Sequence, residues 1–429
     1  MRILMLAQFY LPDMGGEEHH IRHLSHGLAA RGHDVAVATL WKEGLADFEM
    51  DGHVRVYRIR GTVQRARWLY SETQRRHAPP FPDPGAVRAL RRVVAREQPE
   101  IVHAHNWLLH SFLPLKAWSG ARLIVTLHDY SLLCAKKRLM YHGARCDGPG
   151  VIKCLRCASN HYGPAKGIPT ALANWAMGVA ERRAVDMFLT VSHATAAGNG
   201  LLGSRVPFQV IPNFLPDDLG EQSGDSDSRL AQLPDEDYLL FVGDLTPDKG
   251  VDVLLRAYKK LTPAPPLVLI GRPVMDIPAE LSAGVTALKV WPHHAVMQAW
   301  RRCLVALAPS VWCEPFGMVV IEAMASGRPV IASRIGGLSD IVVDGETGLL
   351  VPPGDPEALQ RAIECFLKDP GLRERMGQAG KRKVAEFRAS AVVPRIEQVY
   401  RALIETAQAT KKDEMCGSEE QYSCSIGQS

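Results

Sequence analysis

No stretch of this sequence stays apolar for the roughly twenty residues that a bilayer crossing needs. Excess charge is scarce too. Lys and Arg number 50 against 46 Asp and Glu, a net charge of +4, dispersed and without a nucleic-acid motif, which argues against nucleic acid as a partner. The apolar start Met-Arg-Ile-Leu-Met-Leu-Ala-Gln meets Pro12 and Asp13 after a few residues, so it reads as a first strand and not as a secretory signal. The expected location is therefore cytoplasmic. Nine cysteines without such a signal read as thiols or metal ligands before they read as disulfides. No repeat of the solenoid kind appears, although the two halves follow the same α/β logic.

A chain of 429 residues is too long for one ordinary core and suits two domains of about 200 residues. The composition places a first domain at 1–213, a linker rich in Asp, Ser, Gly, Gln and Pro at 214–237, and a second domain at 238–390. A final helix at 391–409 and a disordered polar tail at 410–429 follow. Strands are expected at 2–6 and 35–39 around a helix at 17–31 that Gly15-Gly16 opens, the strand, glycine turn, helix, strand order of nucleotide folds. The glycine pair reads either as close backbone approach to a phosphate or sugar, or as a turn that needs positive φ. His19, His23 and His26 recur at helical spacing, which suits a metal-binding pair or an exposed stripe.

Residues 60–77 are basic, with Trp68 and Tyr70 interleaved. They face an anionic acceptor or a membrane surface on one reading and form a solvated loop on the other. Asp83-Pro84 reads as a cap and first-turn proline of a helix at 84–97. A strand at 122–127 ends in His128-Asp129, where open α/β sheets bind ligands; a buried structural histidine is the competing reading. Next, Cys154-x-x-Cys157 can clasp one face of a structural zinc ion that Cys134 and Cys146 complete, with Gly143, Gly148 and Gly150 letting the chain wrap. Four free thiols are the alternative.

The most informative stretch lies at 308–333. A short apolar run at 304–307 reads as a buried parallel strand. Pro315 and Gly317 break the chain, residues 318–325 are good helix formers, and Ser326-Gly327 ends that helix before another strand at 330–332. A helix starting near Gly317 leaves its first N–H groups without intrahelical partners and favours an anion there. Glu314 lies ahead of that start and Glu322 about one turn inside it. Carboxylates so placed can accept hydrogen bonds from the vicinal hydroxyls of a sugar or ribose.

Glu314-Pro-Phe-Gly-Met-Val-Val-Ile-Glu322-Ala-Met-Ala-Ser-Gly-Arg-Pro-Val resembles the signature of the retaining, nucleotide-sugar-dependent glycosyltransferases of family four, which adopt the GT-B fold. The resemblance continues through Gly336-Gly337 and Asp344-Gly-Glu-Thr-Gly-Leu-Leu-Val-Pro-Pro, appears earlier as Gly15-Gly16 and His128-Asp129, and reaches about Glu386. It is specific for fold and donor class and silent about the acceptor. It implies an α/β architecture of two doubly wound Rossmann-like domains facing a cleft, with a nucleotide diphosphate sugar in the C-terminal one. By the same resemblance Glu322 takes the ribose hydroxyls, and the N–H groups of Phe316, Gly317, Met318 and Val319 take the sugar and diphosphate. Glu314 would take the donor sugar, Lys249 the phosphates, and His128 would lie beside the sugar. Cysteine-bearing insertions after the His-Asp pair occur in some members.

The implied reaction is metal-independent transfer with retention and no catalytic cofactor. The acceptor is a glycan, a lipid-linked intermediate or a small metabolite, and peripheral contact with the inner membrane face is compatible with it. One departure stands out. The family usually shows Gly-Arg-Leu followed by Lys-Gly, with that arginine and lysine on the diphosphate; here Lys249 is kept and Asp244 replaces the arginine, leaving Arg272 to supply charge. Three alternatives share this fold logic: a sugar-nucleotide epimerase, a sugar phosphorylase, and a binding module without turnover, for which Asp244 is the motive.

Overall fold

The computed structural model describes residues 1–12, 15–66, 76–219, 227–273 and 282–426, with side chains to residue 409. Trp68 and Tyr70 of the basic stretch lie outside the described residues.

In chain order the strands of the first half are β1 (Arg2–Ala7), β2 (Asp34–Leu40), β3 (Phe48–Asp51), β4 (Val54–Ile59), β5 (Ile101–Ala104), β6 (Arg122–Leu127), β7 (Met140–Tyr141), β8 (Ala144–Arg145), β9 (Met187–Thr190) and β10 (Phe208–Val210). Short apolar runs buried on both faces are what a helix-covered parallel sheet requires; β1 and β2 are buried from their second residue onward. One sheet has the order β10-β9-β6-β5-β1-β2-β4-β3. Leu4 lies opposite Ala36 and Val102 in parallel register, and β3 runs antiparallel to β4. The small ribbon β7–β8 stands apart as a two-stranded sheet.

The second half contributes β11 (Leu239–Val242), β12 (Leu267–Ile270), β13 (Val285–Leu288), β14 (Val305–Ala308), β15 (Val330–Ser333) and β16 (Gly348–Val351). They are parallel, in the order β13-β12-β11-β14-β15-β16. Counted from β11, this is the Rossmann order 3-2-1-4-5-6, whose direction of winding reverses between the first and fourth strands. The chain therefore has the two-domain, Rossmann-like α/β architecture that the sequence implied.

By its contacts the chain divides into two compact units, Met1–Thr126 with Val179–Phe188 and Val393–Ser429, and Leu127–Gly178 with Leu189–Val392. In the first, the final helix is held by buried polar bonds. Tyr400 Oη lies 2.6 Å from His103 Nδ1, and Glu397 meets Arg31 at 2.5 Å and His33 at 3.1 Å. That helix spans Ala389–Ile426, so the backbone after residue 410 continues as helix where the sequence suggested disorder. Lys411, Lys412, Glu414, Met415, Glu419 and Glu420 are good helix formers within that stretch.

Asp83 caps the helix Pro84–Glu97 by accepting the N–H groups of Gly85 and Ala86. The polar stretch read as a linker is anchored at both described ends: Leu215 is buried and donates its N–H to Phe387 O at 2.8 Å, and the turn Ser228–Gln232 buries Leu230. Two helices of ten residues or more escaped the sequence, Val151–Tyr162 and His293–Arg302, as did several shorter ones. The first hides among glycines and cysteines.

Candidate active site

β11 and β14 are neighbours on either side of the reversal in strand order, where open α/β sheets bind ligands beyond the carboxyl ends of the strands. Their C-terminal ends lead into Gly243-Asp244 and into the Glu314 loop. The loop after β14 enters the helix Met318–Ala325 through Gly317 at φ +128°. Only glycine suits that turn, since a Cβ there would sit 2.5 Å from Leu338 Cδ2. No side chain caps this helix. The N–H groups of Met318 and Val319 at its start have no acceptor within the helix and lie at the positive end of its dipole. Phe316 is buried in the core with its ring 5.9 Å from that of Phe387, so it offers the site only its backbone, while Met318 and Val319 are half-buried.

Glu314 is buried. Its Oε1 accepts from Lys249 Nζ at 2.5 Å and from Ser310 Oγ at 2.7 Å. Burial works to raise the pKa of this carboxyl, but the Lys249 charge and the bonds from Lys249 and Ser310 outweigh it and hold the group below the usual glutamate range. Lys249 Nζ also lies 5.3 Å from the centre of the Trp312 ring. The Glu314 backbone is clamped as well. Gly337 donates its N–H to Glu314 O at 2.7 Å, and a Cβ on Gly336, at φ +60°, would fall 2.3 Å from that oxygen. One residue on, Pro315 O accepts from Ser192 Oγ at 2.6 Å and Thr195 Oγ1 at 3.0 Å.

Glu322 is also buried, and His293 Nε2 lies 3.0 Å from its Oε1. That bond raises the histidine pKa against the opposing effect of burial. Nothing in the sequence pointed to His293; it precedes Glu322 by 29 residues in an element that sequence reading did not assign. Arg272 Nη2 donates to Asp244 Oδ2 at 3.0 Å. The two groups proposed as obstacle and remedy at the diphosphate thus neutralise each other across the ends of β11 and β12.

His128 follows β6 directly. Burial pushes its pKa down to about 3 in spite of a bond to Asn213, so it is a neutral imidazole at physiological pH. Gly15, at φ −121°, caps the helix Gly16–Ala30, and its N–H donates to Glu18 Oε2 at 2.9 Å. The positive-φ turn is not what this pair supplies. Of the histidine stripe, His26 is bonded to Asp51 at 2.8 Å beside Arg22, and the rings of His19 and His23 stack at 5.8 Å. Cys134, Cys146, Cys154 and Cys157 are free and partly buried.

The Glu314–Lys249 pair makes a signed prediction. A carboxylate with a depressed native pKa adds stability above its unfolded pKa and loses it as pH falls through the native value. Lys249→Ala leaves Glu314 buried without its cation. It should lower the unfolding free energy at pH 7 by about 2 to 4 kcal/mol, towards the low side for a buried pair because Lys249 is partly exposed. Denaturant melts at pH 7 and in acid should show the gap closing as pH falls through the depressed native pKa of Glu314 and the carboxylate takes a proton. An equal gap at both pH values would mean that the lysine stabilises the fold by packing alone.

Comparison with known proteins agrees with this geometry. Residues 14–219 match the model of Glycosyltransferase Family 4, and residues 225–383 that of Glycosyl transferases group 1. A D-inositol 3-phosphate glycosyltransferase of Corynebacterium diphtheriae is 35% identical over 188 residues, which is 40% of this chain and 44% of that protein. The chain thus spans less than half the length of that relative. A glycogen synthase of Mycobacterium tuberculosis is 25% identical over 450 residues, covering 94% and 95% of the two chains. Among solved structures, sucrose-phosphate synthase from Thermosynechococcus elongatus superposes with a TM-score of 0.70 at 25% identity, over 94% of this chain and 99% of that one. The Anabaena HepE protein in complex with UDP-glucose shares the fold with a TM-score of 0.65 at 18% identity, over 93% and 99%. The two family models between them take in the glycine turn, the strand-end histidine, the Lys249 turn and the Glu314 loop, and the chain belongs to the group 1 glycosyltransferases of family four, with the GT-B fold.

Proposed function

We propose that the protein transfers a glycosyl group from a nucleotide diphosphate sugar to an acceptor hydroxyl, with retention at the anomeric carbon and without a divalent ion. One observation carries this reading. At the strand-order reversal of the second sheet, an uncapped helix start lies between two buried glutamates already fixed by Lys249 and His293. On this reading the diphosphate takes the N–H groups from Phe316 to Val319 and the Lys249 ammonium, and Glu322 takes the ribose hydroxyls. Glu314 aligns the donor sugar. As the glycosidic bond breaks, positive charge spreads over the sugar and negative charge over the leaving diphosphate, so donors fixed in advance at the phosphate lower the barrier most. The departing diphosphate can take the acceptor proton, and neutral His128 contributes a hydrogen bond and not a charge.

The relatives' names span inositol phosphate and glycogen chemistry, which supports a hydroxyl acceptor as a class. HepE, of the same fold, was solved with UDP-glucose, which favours a uridine nucleotide as the first ligand to try. No helix among the described residues is long and apolar enough to cross a membrane; contact with a membrane face would be peripheral.

Thermal shift with UDP, GDP, ADP and dTDP should single out one nucleotide, because a ligand bound to the native state alone raises the melting temperature by mass action. Glu322→Ala should weaken that nucleotide by about 1.5 to 3 kcal/mol, roughly ten- to a hundredfold. No response to any of the four, or an unchanged affinity in the variant, would contradict the donor site.

Asp244→Ala removes one partner of Arg272. Both partners are well exposed, so the pair is worth at most about 1 kcal/mol. Calorimetry at low salt should show donor affinity rising by no more than about fivefold, with the gain fading at high salt. A loss of affinity would show that the carboxylate itself contacts the donor.

A further inference from the structure

We propose that Cys134, Cys146, Cys154 and Cys157 form a four-thiolate site for one zinc ion, which fixes the segment between β6 and the helix Pro164–Ala184. All four line one small cavity of about 30 Å³, together with Leu133, Met140 and Lys153. They come to it from three kinds of local structure. Cys134 sits in a turn, donating its N–H to Tyr130 O at 2.8 Å and accepting from Lys137 N at 2.8 Å. Cys146 ends the ribbon β7–β8, where its N–H donates to Leu139 O at 2.8 Å. Cys154 and Cys157 lie in the opening turns of the helix Val151–Tyr162, three residues apart and therefore on one face. The sequence reading had them in a glycine loop; a helix is the firmer platform. Its N-terminal dipole also favours thiolate over thiol.

The electrostatics fit a cation bound by thiolates. Each thiol would give up its proton on binding a divalent ion, and four thiolates around one zinc leave a net negative site. Lys136 and Lys153 line the same cavity, Lys153 paired with Asp147.

The segment also needs a cross-link. Its strands β7 and β8 are two residues long, and the apolar cluster at its base holds Tyr130, Leu139 and Cys313 as its buried members. Lys137, Leu139 and His142 nevertheless adopt positive φ, at +63°, +51° and +49°, conformations that L-residues keep only when their surroundings enforce them. Among the described residues no three of the four sulfurs lie within 4.8 Å of one another. Zinc at its usual distance of about 2.3 Å from each sulfur requires the four to approach one another. Arg138, between the first two ligands, pairs with Asp248 and lies 5.2 Å from the Trp312 ring, which joins the segment to the loop carrying Glu314.

Elemental analysis of the full chain, purified without chelator, should give about one zinc per chain. Cys134→Ser and Cys154→Ser should each lose it, while Cys365→Ser, at an exposed cysteine outside the segment, should keep it. Should the serine variants fail to fold, cobalt added to the metal-stripped wild type gives an independent answer, through the sulfur-to-cobalt charge-transfer band of a tetrahedral thiolate site. A zinc-free wild-type chain that develops no such band would overturn the proposal. So would a chain whose four thiols react freely with a thiol reagent in the native state, or one whose mass shows them joined in disulfides.

Discussion

One half-buried ion pair, Glu314 with Lys249, fixes the loop that leads into the helix start at Gly317. A glutamate carboxylate costs several kcal/mol to take out of water unless a partner compensates it. Glu314 has that partner in Lys249, with Ser310 as a second donor. The pair ties the turn after β11 to the loop after β14, which are the two chain segments at the reversal of strand order. Gly336 and Gly337 press against the same loop from the other side, at distances that admit no side chain. The helix start at Gly317 is therefore presented by a loop with little freedom to move. That is the condition for dipoles and N–H groups to stabilise charge without reorganising.

The same pairing explains how the chain manages its cations. Lys249 is bonded to Glu314 and Arg272 to Asp244, so neither stands as an unscreened positive charge at the sheet edge. A simple anion would have to displace a carboxylate to gain either one. On the proposed reading a nucleotide sugar brings more, because its ribose and sugar hydroxyls can occupy the carboxylates that its phosphates displace. Selectivity for an intact donor over inorganic phosphate would follow from that exchange of partners.

Much of this was legible in the sequence, for identifiable reasons. The helix Met318–Ala325 matched its expected bounds because proline, two glycines and a run of helix formers mark its ends locally. Most of the parallel strands were legible because they read as short apolar runs; β13 and β16 were not. Contacts set by strand order were not. Lys249 and Glu314 are 65 residues apart and Asp244 and Arg272 are 28, and no periodicity connects them. Asp244, which stands where the resembling family has its arginine, meets Arg272, the residue expected to supply charge in its place. His293 stayed invisible for the same reason, and the tail misled because polarity without apolar period describes a solvated helix as well as a disordered coil.

The central claim is that this site breaks the bond between a sugar and a nucleoside diphosphate. The most direct measurement is release of the nucleoside diphosphate from its nucleotide sugar with no acceptor added, comparing wild type with Glu314→Gln. The account predicts slow release by the wild type, where water stands in for the acceptor. It predicts release falling by at least about a hundredfold in the variant, with donor affinity changed far less, because the carboxylate acts beside the reacting carbon. A wild type that binds the donor tightly and releases nothing, even with sugars and polyols offered as acceptors, would contradict it and leave a binding module in place of an enzyme.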